Sequence, residues 1–178
     1  MARAFIAPKV SAFKVAGLLL CGWTAWAVDG VVVNGVRIPP GTVQALQKQY
    51  GVRILNGDYW YDKLSGAWGY SGGPAMGQIR PFLNLGGPLK VNASRGRTGV
   101  FINGRELHLL DVRALQQITM VIPGRYWCDA MGNIGFEGGP PLANLWALAA
   151  AANARGGAVK REGILSTYDK TGAVVIGQ

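Results

Sequence analysis

Apolar and polar positions along this chain alternate in short runs, and the runs come in two matching sets. Val31, Val32 and Val33 lead into Asn34-Gly35 and then Val36-Arg37-Ile38. This is a strand pair closed by a two-residue turn, because Asn-Gly readily adopts the positive φ angles that such turns require. Val43, Leu46 and Tyr50 then fall on one stripe at helical spacing, which predicts a short amphipathic helix. A second alternating pair follows, Tyr59 to Asp62 and Ala67 to Tyr70, around Lys63-Leu64-Ser65-Gly66. The same order of elements returns later in the chain.

Asn34-Gly35 recurs as Asn103-Gly104 and Val43-Gln44-Ala45-Leu46 as Val112-Arg113-Ala114-Leu115, both 69 residues further on. Gly57-Asp58-Tyr59-Trp60-Tyr61-Asp62 recurs as Gly124-Arg125-Tyr126-Trp127-Cys128-Asp129 at an offset of 67, and Gly72-Gly73-Pro74 as Gly138-Gly139-Pro140 at 66. The drift falls between blocks, where loops absorb changes of length. So many matches in one order establish a tandem repeat. Thr42 and Asp111 hold matching positions before the two helical stripes and are the expected N-caps.

The fold class is therefore α+β: two tandem ββαββ-type repeats packed together, followed by a C-terminal helix and hairpin. The divisions read as a signal peptide over 1–27, repeat 1 over 28–79, a linker over 80–99, repeat 2 over 100–145, and a C-terminal helix with a hairpin or tail over 146–178. Packing together is expected because some 50 residues without metal or disulfide bury too little area to stand alone. The Ala-rich run after Leu142 predicts the last helix, and residues 163–177 read as the last hairpin.

The first 27 residues read as an export signal. Arg3, Lys9 and Lys14 precede the apolar stretch Val15 to Trp23, and Ala25 and Ala27 suit cleavage after Ala27. On that reading the protein is secreted or periplasmic. Cys128 is then the one cysteine of the mature chain, which excludes an internal disulfide and leaves a disulfide-linked homodimer as a route to association.

Charge adds a smaller constraint. The chain has 178 residues with 18 Lys+Arg, 9 Asp+Glu and a formal charge of +9. A basic exported protein meets anionic polymers, so these join a cell-envelope glycan or another secreted or envelope protein as expected partners.

Catalytic parts are few. His108 is the only histidine, no Gly-x-Ser-x-Gly elbow is present, and the Gly-Gly-Pro segments lack the Lys-Ser/Thr and following helix of a phosphate loop. Asp62 and Asp129 sit where a turn carboxylate accepts backbone N–H groups. No cofactor or metal is expected. The expected binding residues are instead the aromatic rows of the second hairpins: Tyr59, Trp60, Trp68 and Tyr70 in one repeat, and Tyr126, Trp127 and Phe136 in the other. Neighbours on a strand face opposite ways, so one row of each hairpin faces a core and the other faces solvent, a partner or the other repeat. The leading functional expectation is an exported, non-enzymatic binding protein that presents these aromatic, Gly-rich hairpins to the envelope. The alternatives are an envelope-acting hydrolase using His108 with a carboxylate, and a secreted structural or self-assembling component.

Overall fold

The computed structural model describes residues 30–155; the 1–27 segment and the hairpin expected over 163–177 lie outside them. The described residues form two five-stranded mixed sheets with three short helices. Lobe 1 contains β1 (Val31–Val33), β2 (Val36–Arg37), α1 (Pro40–Tyr50), β3 (Gly57–Tyr61), β4 (Ala67–Tyr70) and β5 (Ala75–Gln78). Lobe 2 contains β6 (Val100–Ile102), β7 (Arg105–Glu106), α2 (Leu109–Gln116), β8 (Gly124–Cys128), β9 (Asn133–Phe136) and β10 (Pro141–Asn144), followed by α3 (Leu145–Ala154). Strand order is β2-β1-β3-β4-β5 in one sheet and β10-β9-β8-β6-β7 in the other. Each lobe is thus the hairpin–helix–hairpin unit of the repeat. A third strand extends the second hairpin, supplied by residues just past the Gly-Gly-Pro turn.

The helix between the hairpins makes the sheets mixed. It returns the chain so that β3 runs parallel to β1, Val31 opposite Gly57, and β8 parallel to β6, Val100 opposite Gly124. The Asn-Gly turns take the expected conformation, with Asn34 at φ 49° and Gly35 at 82°, and Asn103 at 50° and Gly104 at 82°. The asparagines also do something the pattern did not reveal. Asn34 Nδ2 donates to the Tyr61 carbonyl at 2.8 Å while its Oδ1 accepts from the Tyr61 N–H at 3.0 Å. Asn103 repeats this on Cys128 at 2.8 and 3.0 Å. Each side chain thereby continues the parallel ladder past the end of a three-residue strand.

The helices start earlier than the expected caps. α1 begins at Pro40, whose fixed φ suits the first helical position, and Thr42 lies within its first turn. α2 is capped by His108, whose Nδ1 accepts the Leu110 N–H at 3.2 Å. Asp111 is fully buried instead. Asn144 caps α3 through the Ala147 N–H at 3.0 Å.

Each lobe has its own core. Lobe 1 packs Val31, Val33, Ile38, Tyr59 and Tyr61 together with half-buried Val43, Ile54 and Trp68; lobe 2 packs Val100, Ile102, Leu107, Val112, Leu115 and Cys128, to which α3 adds Leu145 and Ala152. The stretch between the lobes is more than a surface connection. Leu83 and Leu85 pack against the first core, and Ser94 is fully buried.

Candidate functional site

Because neighbours on a strand face opposite ways, Tyr59 and Tyr61 point into the lobe 1 core and Trp60 points out of the other side of the sheet. Lobe 2 covers that other side. The Arg105 guanidinium carbon lies 3.9 Å from the centroid of the Trp60 ring, and Trp60 is only 1% exposed. Arg105 also pairs with Asp111 at 3.1 Å and hydrogen-bonds Ser94. The other oxygen of Asp111 accepts the Ala75 N–H at 2.9 Å, and Asn103 donates to Asp62 at 2.6 Å. This is a buried polar joint in which every named charge has a partner, the condition for burying charge without a large penalty. Burial lowers the Arg105 guanidinium below its ordinary pKa, and Asp111 works against that shift.

The opposite, core-side face of each lobe carries an open apolar groove, and many lining positions of the two grooves correspond. The first holds about 230 Å³ and the second about 220 Å³. Leu46, Ile54, Leu55, Tyr59, Tyr70 and Met76 line the first; Leu115, Val121, Ile122, Tyr126, Phe136 and Leu142 stand at the equivalent places in the second. The rims are exposed to similar degrees: Leu55 is 53% and Ile122 54% exposed, Tyr70 43% and Phe136 46%. A lone exposed apolar side chain means little, whereas a contiguous apolar groove present in both copies of a repeat is a candidate binding surface.

The aromatic walls are set by matching local contacts. Tyr59 donates to the Leu55 carbonyl at 2.8 Å and Tyr126 to the Ile122 carbonyl at 2.7 Å. Ring centroids of Tyr59 and Tyr70 are 4.9 Å apart, as are those of Tyr126 and Phe136. Burial, with Tyr70 adding to it, pushes the Tyr59 phenol up to about 12, so its hydroxyl stays a neutral donor. In lobe 1, half-buried Trp68 stands where lobe 2 has Ile134. Its Nε1 is buried without a hydrogen-bond partner among the described residues.

Of the aromatic residues singled out in the sequence, Tyr59, Trp68 and Tyr70 thus come together on the first groove, and Tyr126 and Phe136 on the second. Trp60 and Trp127 point their indoles away, donating to the Gly73 carbonyl at 3.2 Å and the Gly139 carbonyl at 3.0 Å. Sequence reasoning missed Leu55, Ile122, Met76 and Leu142. The first two lie in loops after a helix and the others on strands it did not foresee, although their matching offsets were a usable signal.

Other candidate chemistry resolves into structure. Asp62 accepts the Leu64 N–H at 2.9 Å and Asp129 the Met131 N–H at 2.8 Å, each closing its hairpin turn. His108 Nδ1 is occupied as a helix cap and the nearby Asp111 is committed to Arg105, and among the described residues no hydrogen bond or ion pair joins His108 to a carboxylate. Cys128 is buried. Burial first, then Asp62 and Asp129, push its thiol up to about 12, which leaves it protonated and a poor nucleophile. Among the described residues no group of three or more His, Cys, Asp or Glu side chains could hold a metal ion, and no helix is long and apolar enough to cross a membrane.

No family model matches the sequence, and no solved structure matches the fold. The chain is similar to extra-large guanine nucleotide-binding protein 1 of Arabidopsis thaliana, 40% identical over 112 residues that cover 61% of this chain and 13% of the relative. It is also similar to extra-large guanine nucleotide-binding protein 2 of the same plant, 34% identical over 97 residues, covering 53% of this chain and 11% of the relative. The chain therefore spans only a small fraction of the length of the curated relatives it matches.

This likeness corrects the reading of export. Guanine nucleotides are ligands of the cell interior, so relatives named for binding them point away from a signal peptide over 1–27 and from a secreted or periplasmic location. They point away equally from an envelope glycan, a secreted or envelope protein, or an extracellular anionic polymer as partner. The exported envelope-binding function falls with these, as do its alternatives of an envelope-acting hydrolase and a secreted self-assembling component. The misleading signal was hydropathy: a basic start before a short apolar run describes composition, and composition alone does not establish recognition by an export machinery.

Proposed function

We propose that the chain is a protein-interaction module of nucleotide-linked signalling proteins akin to the extra-large guanine nucleotide-binding proteins. Its two lobes each hold a partner's apolar side chains in a groove, and neither groove takes the nucleotide. The observation that carries this reading is the pair of matched grooves. Tyr59, Trp68 and Tyr70 serve as binding residues of one, and Tyr126 and Phe136 of the other. Each groove is smaller than the roughly 300–1,000 Å³ of small-molecule sites, which suits one or two anchoring side chains better than a nucleotide. The chain also lacks a Gly-rich loop leading into Lys-Ser/Thr, the usual cradle for phosphates.

The test is a selection of displayed twelve-residue peptides against the full chain. Peptides enriched on the unaltered protein are expected to lose at least tenfold in affinity, about 1.4 kcal/mol, when Tyr70→Asp and Phe136→Asp are combined in a protein that still melts cooperatively. Unchanged affinity in that variant would end the groove reading. Calorimetric titration with GDP and GTP is expected to show no saturable heat, and tight binding would overturn the second half of the proposal.

A further inference from the structure

The two grooves differ at two places that bear on what enters them. The first concerns charge. Arg53 lines the lobe 1 groove from an exposed position, and Met120 takes its place in lobe 2, where it is 84% exposed. The ion pairs among the described residues join Arg105 to Asp111 and Arg125 to Glu137, so the Arg53 charge at the mouth of the groove is not neutralised by a described carboxylate. The second concerns hydrogen bonding. The lobe 1 wall holds the Trp68 indole, whose buried Nε1 has no partner among the described residues, against the wholly apolar Ile134 of lobe 2. A buried donor left unpaired is unfavourable, and an occupant bringing an acceptor would remove that cost after a turn of the half-buried ring.

Resting on the groove reading above, we propose that the lobe 1 groove is specific for a polypeptide segment with an acidic residue next to an apolar anchor. The anchor's side chain fills the space between Leu46, Tyr59 and Tyr70. The acidic side chain pairs with Arg53 at the mouth, and a carbonyl of the segment accepts from Trp68 Nε1. The lobe 2 groove, with Met120 and Ile134, takes an apolar anchor without regard to charge. A cation with one apolar slot beside it discriminates by sign, so the two lobes together read an acidic-apolar element and a plain apolar element on one partner.

The full chain and the displayed peptide library test this. Selected peptides are expected to place Glu or Asp beside Leu, Phe or Trp. A synthetic peptide of that kind should show one tight and one weaker site on the unaltered protein, and two tight sites in Met120→Arg. Arg53→Glu should weaken it at least tenfold, and exchanging its acid for Lys should restore affinity to that variant. Its binding should shift tryptophan emission in the unaltered protein but not in Trp68→Phe. Indifference to Arg53→Glu in a peptide that still requires Tyr70 would overturn this proposal and leave the groove reading standing. Indifference to both Arg53 and Tyr70 would overturn both. Saturable binding of oleate that excludes the selected peptides would identify the occupant as a lipid chain and overturn the peptide assignment.

Discussion

Trp60 and Trp127 occupy the same place in the two lobes and make the same hydrogen bond to a glycine carbonyl, yet only Trp60 is sealed from water. The difference lies outside their own repeats. Lobe 2 presents Arg105 and Asp111 to the outer face of sheet 1, and the described residues present no matching pair to the outer face of sheet 2. The equivalent residues of lobe 1 are Val36 and Thr42, which bring no charge. Pro141 stands where Ala75 offers its N–H to Asp111, and proline has no N–H to offer. Each lobe therefore lacks one half of the joint that the other completes. Identical local grammar permitted a two-lobe unit, and a few substitutions made the joint one-directional, as in repeat arrays whose terminal units are modified into caps.

The sharpest way to break this comparison is through the joint. Asp111→Ala strands the buried Arg105 charge and is expected to cost about 3–5 kcal/mol in urea unfolding, while Thr42→Ala at the matching position should stay within about 0.5 kcal/mol. Equal effects would mean the joint is not where the lobes are tied. Removing the rings comes next: Trp60→Ala should cost about 3–5 kcal/mol, and Trp127→Ala, half-buried with no described cation above it, about 1–2 kcal/mol. Comparable melting shifts would contradict the asymmetry of burial.

The smallest effect is confined to alkaline solution, where Cys128 and its counterpart Tyr61 part ways. The Cys128 thiol, ordinarily near 9, lies at about 12 in the folded chain, mainly through burial. The folded state therefore keeps a proton that the unfolded chain gives up. The stability linked to that proton is fully present below pH 9 and is lost as pH climbs from 9 towards 12. Urea midpoints of the unaltered protein should fall more steeply over that range than those of Cys128→Ala. Parallel curves would show that the thiol is not held protonated by the fold. Tyr61, raised in the same direction by burial, is unaltered in both proteins and so cancels from the difference.

Much of the fold was legible because it is local. Asn-Gly turns, strand alternation around Tyr59 and Tyr126, and the offset matches all act within a few residues, and each appears where the pattern places it. The third strand of each sheet was not legible: Ala75–Gln78 and Pro141–Asn144 are too short and too mixed to show a period. Thr42 and Asp111 looked alike as caps, but one lies half-buried in the first turn of α1 and the other fully buried under an arginine from its own hairpin. The groove was half visible. Its aromatic side chains stood out as repeated rows, whereas Leu55, Ile122, Met76 and Leu142 looked like ordinary apolar residues until the lobes brought them together.

Alone, the order of residues determined that there are two copies of one unit and which turns and strands build it, since turn chemistry and periodicity depend on near neighbours. Which tryptophan is buried, which carboxylate is paired and which aromatic side chains meet at a groove were decided only by tertiary structure. Those outcomes depend on contacts between residues tens of positions apart, and one face of a strand becomes interior only when something is packed against it.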